Sequence, residues 1–298
     1  MYENVKIGII GGDLRQVALS RRLSEIGFEV AVWGLPKTAD IGNATRSVNW
    51  KSAINKSAAV VLPFPVSRDG VHLCAPYYDG DLPEVSQLLF AAKEGTAFFG
   101  GNFGLTAKYA AEEKNIFLYD YLENEPLQIK NTIPTAEGAL EIALHETDIT
   151  IKDSMALVCG FGRVGKTVAR LLSDIGAKVY VSARNENDLA YITVNGFESV
   201  ECGSKDFYEI ISKVDVIFNT VPAIILDKKT IEAMKKDAVI IDLASGKGGT
   251  DFKAATMLGV KNFHALSLPG KVAPKTSGNI ICDFVLDVLR RKGVIAEI

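Results

Sequence analysis

The sequence is poor in the residues from which metal sites and disulfide frameworks are built. It holds four cysteines and three histidines among 298 residues, and they are widely spaced. No CxxC pair occurs, and no histidine spacing matches a set of metal ligands. The sequence therefore predicts reduced thiols in a cytosolic protein without a bound metal. Cys159 and Cys282 lie in apolar runs, so we expect them to fill the core.

Long apolar runs and blocks of like charge are also missing. No stretch reaches the length of a membrane span, and no basic segment followed by an apolar one opens the chain. We therefore expect no membrane segment and no signal peptide. The formal net charge of -3, without a basic block, argues against nucleic acid as a partner.

The pattern that is present alternates short apolar strands with amphipathic helices, in two successive rounds. The rounds open at Val5–Ile10 and at Ala156–Cys159, each with a strand, a glycine turn and a helix. This predicts an α/β protein with two doubly wound, Rossmann-like domains and an interdomain cleft at the carboxyl ends of both sheets. We place the first domain at residues 1–131 plus 280–298 and the second at 132–279, with the last helix returning to the first domain.

The other elements follow from the same patterns. Further strands are predicted at Glu29–Trp33, Ala59–Leu62, Ala97–Phe99, Ile116–Tyr119, Lys178–Val181, Val214–Asn219, Ala238–Leu243 and Val260–Ala265. The proline-rich segment Pro63–Pro83 is predicted to be a loop. Thr135 is placed to cap a helix running to about His145, and Ser277 to cap a final helix running to about Arg291.

The strongest functional signal is Gly160-x-Gly162-x-x-Gly165, which follows one strand, opens a helix and precedes another strand. In that context the spacing is typical of dinucleotide-binding domains. Gly160 permits the tight turn, Gly162 lets the backbone approach a pyrophosphate, and Gly165 allows close packing of helix on strand. The predicted cofactor-binding residues of this turn are Gly160, Phe161, Gly162, Arg163, Val164 and Gly165. The alternative is a glycine turn that binds nothing.

The next strand ends in Ser182-Ala183-Arg184, where an NAD site usually carries an acidic residue. A carboxylate would repel a 2′-phosphate, whereas Arg184 can pair with it and Ser182 can add a hydrogen bond. We therefore predict NADP as the cofactor, bound here by Ser182, Ala183 and Arg184. The alternative is that Arg184 is a solvated surface residue.

Two later strands end in Asn219-Thr-Val-Pro-Ala223 and Asp242-Leu-Ala-Ser-Gly246. By position, both ends belong at the rim where the nicotinamide is expected. The predicted cofactor-binding residues of this rim are Thr220, Val221, Pro222, Asp242 and Ala244. The alternative is that the proline and the glycine serve only turn chemistry.

The turn near the N-terminus, Gly11-Gly12-Asp13-Leu-Arg15-Gln16, departs from the dinucleotide pattern because Ile10 stands where the second glycine should be. We predict a substrate site here instead, with Gly12, Asp13 and Arg15 facing an anion. The alternative is a surface-exposed helix start.

A second basic segment, Leu268-Pro-Gly-Lys271-Val-Ala-Pro-Lys275-Thr-Ser-Gly278, precedes the last helix. Its prolines predict a stiff loop in which Lys271 and Lys275 hold substrate carboxylates, because a restrained lysine loses less entropy on binding. The alternative is a solvated linker.

Five motifs follow one another along nearly the whole chain. They are Gly11–Gln16, Asn131–Gly138, Gly160–Gly165, Ile241–Ser245 and Leu268–Lys275. Together they resemble the family formed by the A subunit of dipicolinate synthase. The two-domain plan is also similar to that of D-2-hydroxyacid and alanine dehydrogenases, but their catalytic His–Glu or His–Asp pairing is not evident.

The resemblance implies a sporulation enzyme in the mother-cell cytoplasm of an endospore-forming bacterium. It would oxidise a dihydrodipicolinate, drawn from lysine biosynthesis, to dipicolinate (pyridine-2,6-dicarboxylate). It would work with the flavoprotein-like B subunit of dipicolinate synthase, and assembly into a homo-oligomer stays open. Glu137, Asp242 and His264 are candidates for the catalytic base.

Two alternatives to this function remain. One is an NADP-dependent dehydrogenase or reductase of another small carboxylate. The other is a non-catalytic nucleotide-binding component of a complex.

Overall fold

The computed structural model describes residue 2 and residues 4–296, and the chain divides into two compact units. Unit 1 comprises Met1–Asn131 and Ala273–Ile298, and unit 2 comprises Thr132–Val272. The return to unit 1 thus occurs at Ala273, whereas the sequence placed it at residue 280. The cause is that the last helix begins earlier than expected and belongs to unit 1 over its whole length.

Unit 1 is built on a six-stranded parallel sheet. Its strands are β1 (Lys6–Ile10), β2 (Glu29–Trp33), β3 (Thr45–Arg46), β4 (Ala59–Val61), β5 (Ala97–Gly100) and β6 (Phe117–Asp120). The helices that follow them in the first segment are α1 (Leu14–Ile26), α2 (Trp50–Ile54), α3 (Val85–Ala91), α4 (Leu105–Glu113) and α5 (Glu125–Lys130). The strand order is β3-β2-β1-β4-β5-β6. The direction in which successive strands are added therefore changes between β1 and β4, although all the strands are parallel.

Unit 2 repeats the same plan. Its strands are β7 (Met155–Cys159), β8 (Lys178–Ala183), β9 (Glu198–Glu201), β10 (Val216–Asn219), β11 (Val239–Asp242) and β12 (Lys261–His264). Its helices are α6 (Thr132–Glu146), α7 (Arg163–Asp174), α8 (Glu186–Val194), α9 (Lys205–Ile211), α10 (Lys228–Glu232), α11 (Phe252–Met257) and α12 (Leu268–Val272). The order β12-β11-β10-β7-β8-β9, again parallel, confirms the prediction of two doubly wound domains.

The last helix, α13 (Pro274–Arg291), packs against α1 in unit 1. The contact is close because Gly278 has no side chain. A Cβ atom there would lie 2.5 Å from the Arg15 carbonyl oxygen and 2.8 Å from Ala18 Cβ. Cys282 on the same helix and Cys159 in β7 are both fully buried, as predicted, and all four cysteines are free.

The predicted helix starts were wrong at both ends of unit 2. Helix α6 begins at Thr132 and α13 at Pro274, so neither Thr135 nor Ser277 is the first cap. The supposed basic loop is also helical, since Lys271 lies in α12 and Lys275 in the first turn of α13. Prolines caused these errors, because a proline is tolerated in the first turn of a helix, where its missing N–H is not needed.

Two short strands, β3 and β9, were not predicted. Both lie at sheet edges and their residues are largely exposed. Edge strands with exposed faces lack the continuous apolar run by which the central strands were recognised. In the described part of the chain, no helix is long and apolar enough to cross a membrane.

Candidate functional site

The glycine turn of unit 2 lies at the carboxyl end of β7, in the centre of the sheet. Gly160 has a φ of 94°, in the left-handed region, and a Cβ atom there would lie 2.7 Å from both Thr220 Oγ1 and Val221 Cγ2. The Thr220 hydroxyl donates a hydrogen bond to the Cys159 carbonyl at 2.9 Å. The turn is therefore pressed against the end of β10, and only glycine fits at its first position.

The other two glycines of the turn have opposite surroundings. A Cβ atom on Gly165 would collide with the Gly160 carbonyl oxygen, so this glycine lets α7 pack on the turn. A Cβ atom on Gly162 would meet nothing within 4 Å. Gly162 therefore borders open space that a side chain could fill, which is the cradle expected for a bound pyrophosphate.

The N-terminus of α7 is electrostatically suited to an anion. No side chain caps this helix, and its first turn holds no acidic residue. Its backbone N–H groups and its dipole therefore favour negative charge at Gly162. The residues present fit the diphosphate of a dinucleotide cofactor.

A cavity of ≈ 270 Å³ adjoins this turn. Its lining includes nine of the predicted cofactor residues: Gly160, Phe161, Gly162, Ser182, Ala183, Arg184, Thr220, Val221 and Pro222. Four further lining residues were not predicted: Asn185, Asp188, Cys202 and Ile225. The predicted residues Arg163, Val164, Gly165, Asp242 and Ala244 lie outside the lining.

Ser182 departs from its predicted role. The residue is 1% exposed, and its hydroxyl is buried on the side of the sheet that carries Cys159. Burial raises the pKa of the Cys159 thiol to about 12, so this neighbour is an inert thiol. Because the Ser182 hydroxyl is enclosed, the predicted hydrogen bond from it to a 2′-phosphate is not available in this structure.

Arg184 is exposed on the wall of the cavity directly after β8, with an acidic residue nearby. Asn185 caps α8 by accepting a hydrogen bond from the Asp188 backbone N–H at 2.8 Å, and its Nδ2 donates to Asp188 Oδ2 at 2.6 Å. The Asp188 carboxylate is thereby held by Asn185. Asp188 lies beyond the strand end on which the cofactor prediction rested, although the Asn-x-x-Asp spacing is a helix-cap signature.

Asp242 is an organising residue and not a base. It is fully buried at the end of β11 and accepts hydrogen bonds from Asn219 Nδ2, Ala244 N, Gly249 N and Thr250 Oγ1, at 3.0, 2.9, 2.9 and 2.6 Å. Three of these donors reach Oδ2 and one reaches Oδ1, and the complete burial of the side chain keeps both oxygens from a substrate. The network instead fixes the Asn219 side chain, which binds Val221 at both its N–H and its carbonyl.

The other two candidate bases, His264 and Glu137, differ in their contacts. His264 is exposed at the end of β12; its Nε2 lies 3.1 Å from the Ala244 carbonyl, and its ring packs on Phe252 with centroids 5.0 Å apart. In the neutral imidazole, a hydrogen bond to this carbonyl places the proton on Nε2 and leaves Nδ1 as an acceptor. Glu137 is exposed on α6.

The corresponding turn of unit 1 is closed. The N–H groups of Gly11 and Gly12 donate to the carbonyls of Trp33 and Cys74, at 2.8 and 2.9 Å. The Asp13 side chain accepts from the Arg15 N–H and caps α1. The Gly11 bond has a counterpart in unit 2, where the Gly160 N–H donates to the Ser182 carbonyl, so it does not distinguish the two turns. The Gly12 bond and the Asp13 cap do distinguish them, because they occupy donors that a pyrophosphate would need.

Arg15 is not the free cation that the sequence suggested. It is 5% exposed, and its guanidinium binds Asp13 through both Nε and Nη2 and the Phe64 carbonyl at 2.6 Å. Burial works against the Asp13 carboxylate, but the hydrogen bonds and charge of Arg15 and the charge of Arg68 lower its pKa overall. Arg15 is paired with Asp13 and is not a free cation, and its role as a substrate anchor stays a prediction.

Lys271 and Lys275 are both exposed and form no ion pair with any described residue. Their helical setting does not restrain the side chains as a stiff loop would, so their role in holding carboxylates stays a prediction. Among residue 2 and residues 4–296, no group of three or more His, Cys, Asp or Glu side chains could hold a metal ion.

The Asp13–Arg15 pair predicts an acid-sensitive contribution to stability. Asp13 has a lowered folded-state pKa, so its contribution is present above the unfolded value of about 3.9 and is lost as the pH falls through the folded value. Asp13→Asn should lower the free energy of unfolding by about 3 kcal/mol at pH 7, because Arg15 is left buried without its anion. Urea unfolding at pH 7 and at acid pH checks this. If the difference in the free energy of unfolding between wild type and the variant does not shrink in acid, the stabilising role of the Asp13–Arg15 pair is contradicted.

Valine at two positions of the glycine turn should have two different effects, one on dinucleotide binding and one on stability. Gly162→Val should abolish dinucleotide binding with the melting temperature nearly unchanged, because the side chain fills only the ligand's space. Gly165→Val should lower the melting temperature, because it collides with the Gly160 carbonyl. Calorimetric titration and thermal unfolding of both variants separate the effects. Wild-type affinity in the Gly162 variant would show that the pyrophosphate lies elsewhere.

Comparison with known proteins agrees with this geometry. Residues 6–122 match the family model for the N-terminal domain of the A subunit of dipicolinate synthase. Residues 135–253 match that of the D-isomer specific 2-hydroxyacid dehydrogenase, NAD binding domain. Unit 2 is therefore a dehydrogenase domain for a nicotinamide cofactor.

Individual relatives cover the chain to different extents. The A subunit of dipicolinate synthase from Bacillus subtilis (strain 168) is 31% identical over 291 residues, 97% of each chain. The crystal structure of the same subunit from Bacillus halodurans has a TM-score of 0.87 at 31% identity, covering 97% of this chain and 99% of that one. Alanine dehydrogenase 1 of Staphylococcus aureus is 27% identical over 177 residues, 51% of this chain and 46% of that relative. Because the match to the Bacillus subtilis protein covers nearly the whole of both chains, the chain belongs to the family of the dipicolinate synthase A subunit.

Proposed function

We propose that the protein oxidises a dihydrodipicolinate to dipicolinate with NADP⁺ as the hydride acceptor. The observation that carries this proposal is the similarity to the A subunit of dipicolinate synthase over 97% of each chain. The open glycine turn of unit 2 supports it independently, because a nicotinamide cofactor needs that turn.

The overall reaction removes one hydride and one proton from the substrate. The dihydropyridine ring loses a hydride from carbon and a proton, and it becomes an aromatic pyridine. When bound, the nicotinamide supplies the acceptor for the hydride. Aromatisation makes the step favourable, so the protein has mainly to position the ring and exclude water.

Residues of unit 2 have separate tasks in this scheme. The N-terminus of α7 at Gly162 holds the pyrophosphate, and Arg184 pairs with the 2′-phosphate. The Thr220–Pro222 segment, fixed through Asn219 by Asp242, borders the nicotinamide end.

His264 is the residue that we assign to proton removal. Its Nε2 is engaged by the Ala244 carbonyl, so the neutral ring presents Nδ1 as an acceptor. Asp242 is fully buried and holds four donors, so it is not accessible to a substrate. Glu137 is exposed on α6 and is the weaker candidate.

NADP is favoured over NAD by the charges at the end of β8. Arg184 is the only cation that lines the described cavity, and its guanidinium suits a phosphate. The nearby Asp188 is tied to Asn185 Nδ2 at 2.6 Å, which limits its reach toward a 2′-phosphate.

The proposal includes a partner and a compartment. The Bacillus subtilis relative is named as the A subunit of its enzyme, so a second component belongs to that enzyme. We propose that this chain likewise works with a flavoprotein-like B subunit on a small dicarboxylate, in the cytoplasm of a sporulating mother cell.

A second function is favoured by the partial match to alanine dehydrogenase, which covers 51% of this chain. It is the oxidation of another small carboxylate, such as an amino acid. The two functions share the cofactor site and differ in substrate only.

Turnover by the full-length chain tests the function. NADPH absorbance should rise when NADP⁺ and a dihydrodipicolinate prepared in situ are mixed with the chain, with or without the B subunit. Alanine in its place should give no signal. Turnover of alanine but not of the dihydropyridine would support the second function. NADP⁺ binding without any turnover, even with the B subunit, would indicate a protein that only binds the nucleotide.

Cofactor choice is tested at Arg184. Arg184→Asp should weaken NADP⁺ binding by about 1.5–3 kcal/mol and improve relative binding of NAD⁺, because a phosphate partner becomes a ribose acceptor. Titration calorimetry with both cofactors measures this. Lys236→Asp, which makes the same charge change at an exposed position before β11, is the control and should alter neither affinity. Unchanged NADP⁺ affinity in the Arg184 variant would refute the assignment.

A further inference from the structure

Unit 1 contains a second cavity that the site described above does not use. It has a volume of ≈ 220 Å³ and lies where the chain leaves β4 and β5. Its lining includes Arg68, Asn102 and Thr106. In open α/β sheets, ligands bind at the carboxyl ends of the parallel strands, near the point where the strand order reverses. In this sheet, β4 borders that point.

Arg68 is an exposed residue that lines this cavity and supplies it with positive charge. Among the described residues it forms no ion pair, whereas Arg15, Arg21 and Arg22 of the same unit each pair with a carboxylate. Its charge acts on Asp13, at the turn after β1. Since Arg15 is committed to Asp13, Arg68 is the available guanidinium near that turn.

Neutral donors stand on the same wall. The side chains of Asn102 and Thr106 are exposed and have no hydrogen-bond partner among the described residues. Asp120 fixes their loop by accepting from the N–H groups of Asn102 and Phe103, both at 3.0 Å. The N-terminus of α4 begins there at Gly104 without a side-chain cap. Each of these groups favours a carboxylate oxygen.

One acid limits what the cavity can hold. Glu84 also lines it, and its Oε2 accepts a hydrogen bond from the Ser86 hydroxyl at 3.0 Å. Arg68 and Glu84 leave the cavity without net charge, so a carboxylate bound there depends on its charge-assisted hydrogen bonds to Arg68, and a second carboxylate would have no cation to pair with. The volume exceeds the roughly 150 Å³ that accommodates a benzene ring, so one ring with one carboxylate fits.

We propose that this cavity is a substrate subsite in which Arg68, with Asn102 and Thr106, binds one carboxylate of the planar dicarboxylate. The inference rests on the proposed function, because the ligand is the substrate named there. It replaces Arg15 by Arg68 as the anchor and places the second carboxylate outside this cavity.

The test uses the full-length chain and dipicolinate as the probe. Arg68→Met should weaken dipicolinate binding about ten- to a hundredfold and raise the KM for the dihydrodipicolinate similarly, because a charge-assisted bond is lost. NADP⁺ affinity and the melting temperature should stay at wild-type values. Arg68→Lys should recover part of the loss. Arg291→Met, at an exposed arginine on α13, is the matched control and should change nothing.

A second variant should strengthen dipicolinate binding, an effect that misfolding cannot produce. Glu84→Gln removes the opposing charge and should tighten dipicolinate binding about two- to fivefold. Wild-type binding in the Arg68→Met variant, or equal weakening by Arg291→Met, would overturn the subsite alone. A wild-type chain that neither binds dipicolinate nor turns over the dihydropyridine, even with the B subunit, would overturn the proposed function with it.

Discussion

Binding in this protein depends on whether the first turn of a helix is open or closed by a side chain. Both sheets have the same strand order, and each sends its central strand into a glycine turn and a helix. In unit 2 the turn places Gly162 before α7, and no side chain caps the helix. In unit 1 the equivalent place is taken by Asp13, which caps α1 and pairs with Arg15. One topology therefore yields one dinucleotide site and one turn that cannot serve as such a site.

In both units, carboxylates that are buried or partly buried hold the loops at the ends of the strands. Asp13, Asp120 and Asp242 each stand at or just after the end of a strand and accept several hydrogen bonds from nearby N–H groups or side chains. A carboxylate satisfied in this way stabilises a loop that regular structure does not hold. In unit 2 this fixes the segment beside the cofactor cavity, and in unit 1 it fixes the loop that carries Asn102. Acidic residues at strand ends thus act on ligands through the loops that they order.

The sequence was most informative where local pattern and buried position coincide. The strand β2 was predicted at its observed bounds, and the Gly160–Gly165 turn was identified together with its helix, because central parallel strands are continuous apolar runs. Patterns along the chain do not reveal long-range pairing. The commitment of Arg15 to Phe64 and the burial of the Ser182 hydroxyl are tertiary events of this kind. Arg68 was missed because it lies in a proline-rich segment without periodicity, where no pattern indicates what a side chain will face.

The central claim is that the chain carries one dinucleotide site, in unit 2, although it has two sheets of the same design. Calorimetric titration of the full-length chain with NADP⁺ measures the number of sites directly. The open turn of unit 2 and the capped turn of unit 1 predict a stoichiometry of one NADP⁺ per chain. Two equivalents per chain would contradict the account, because the second could bind only if the Asp13 cap does not close the turn of unit 1.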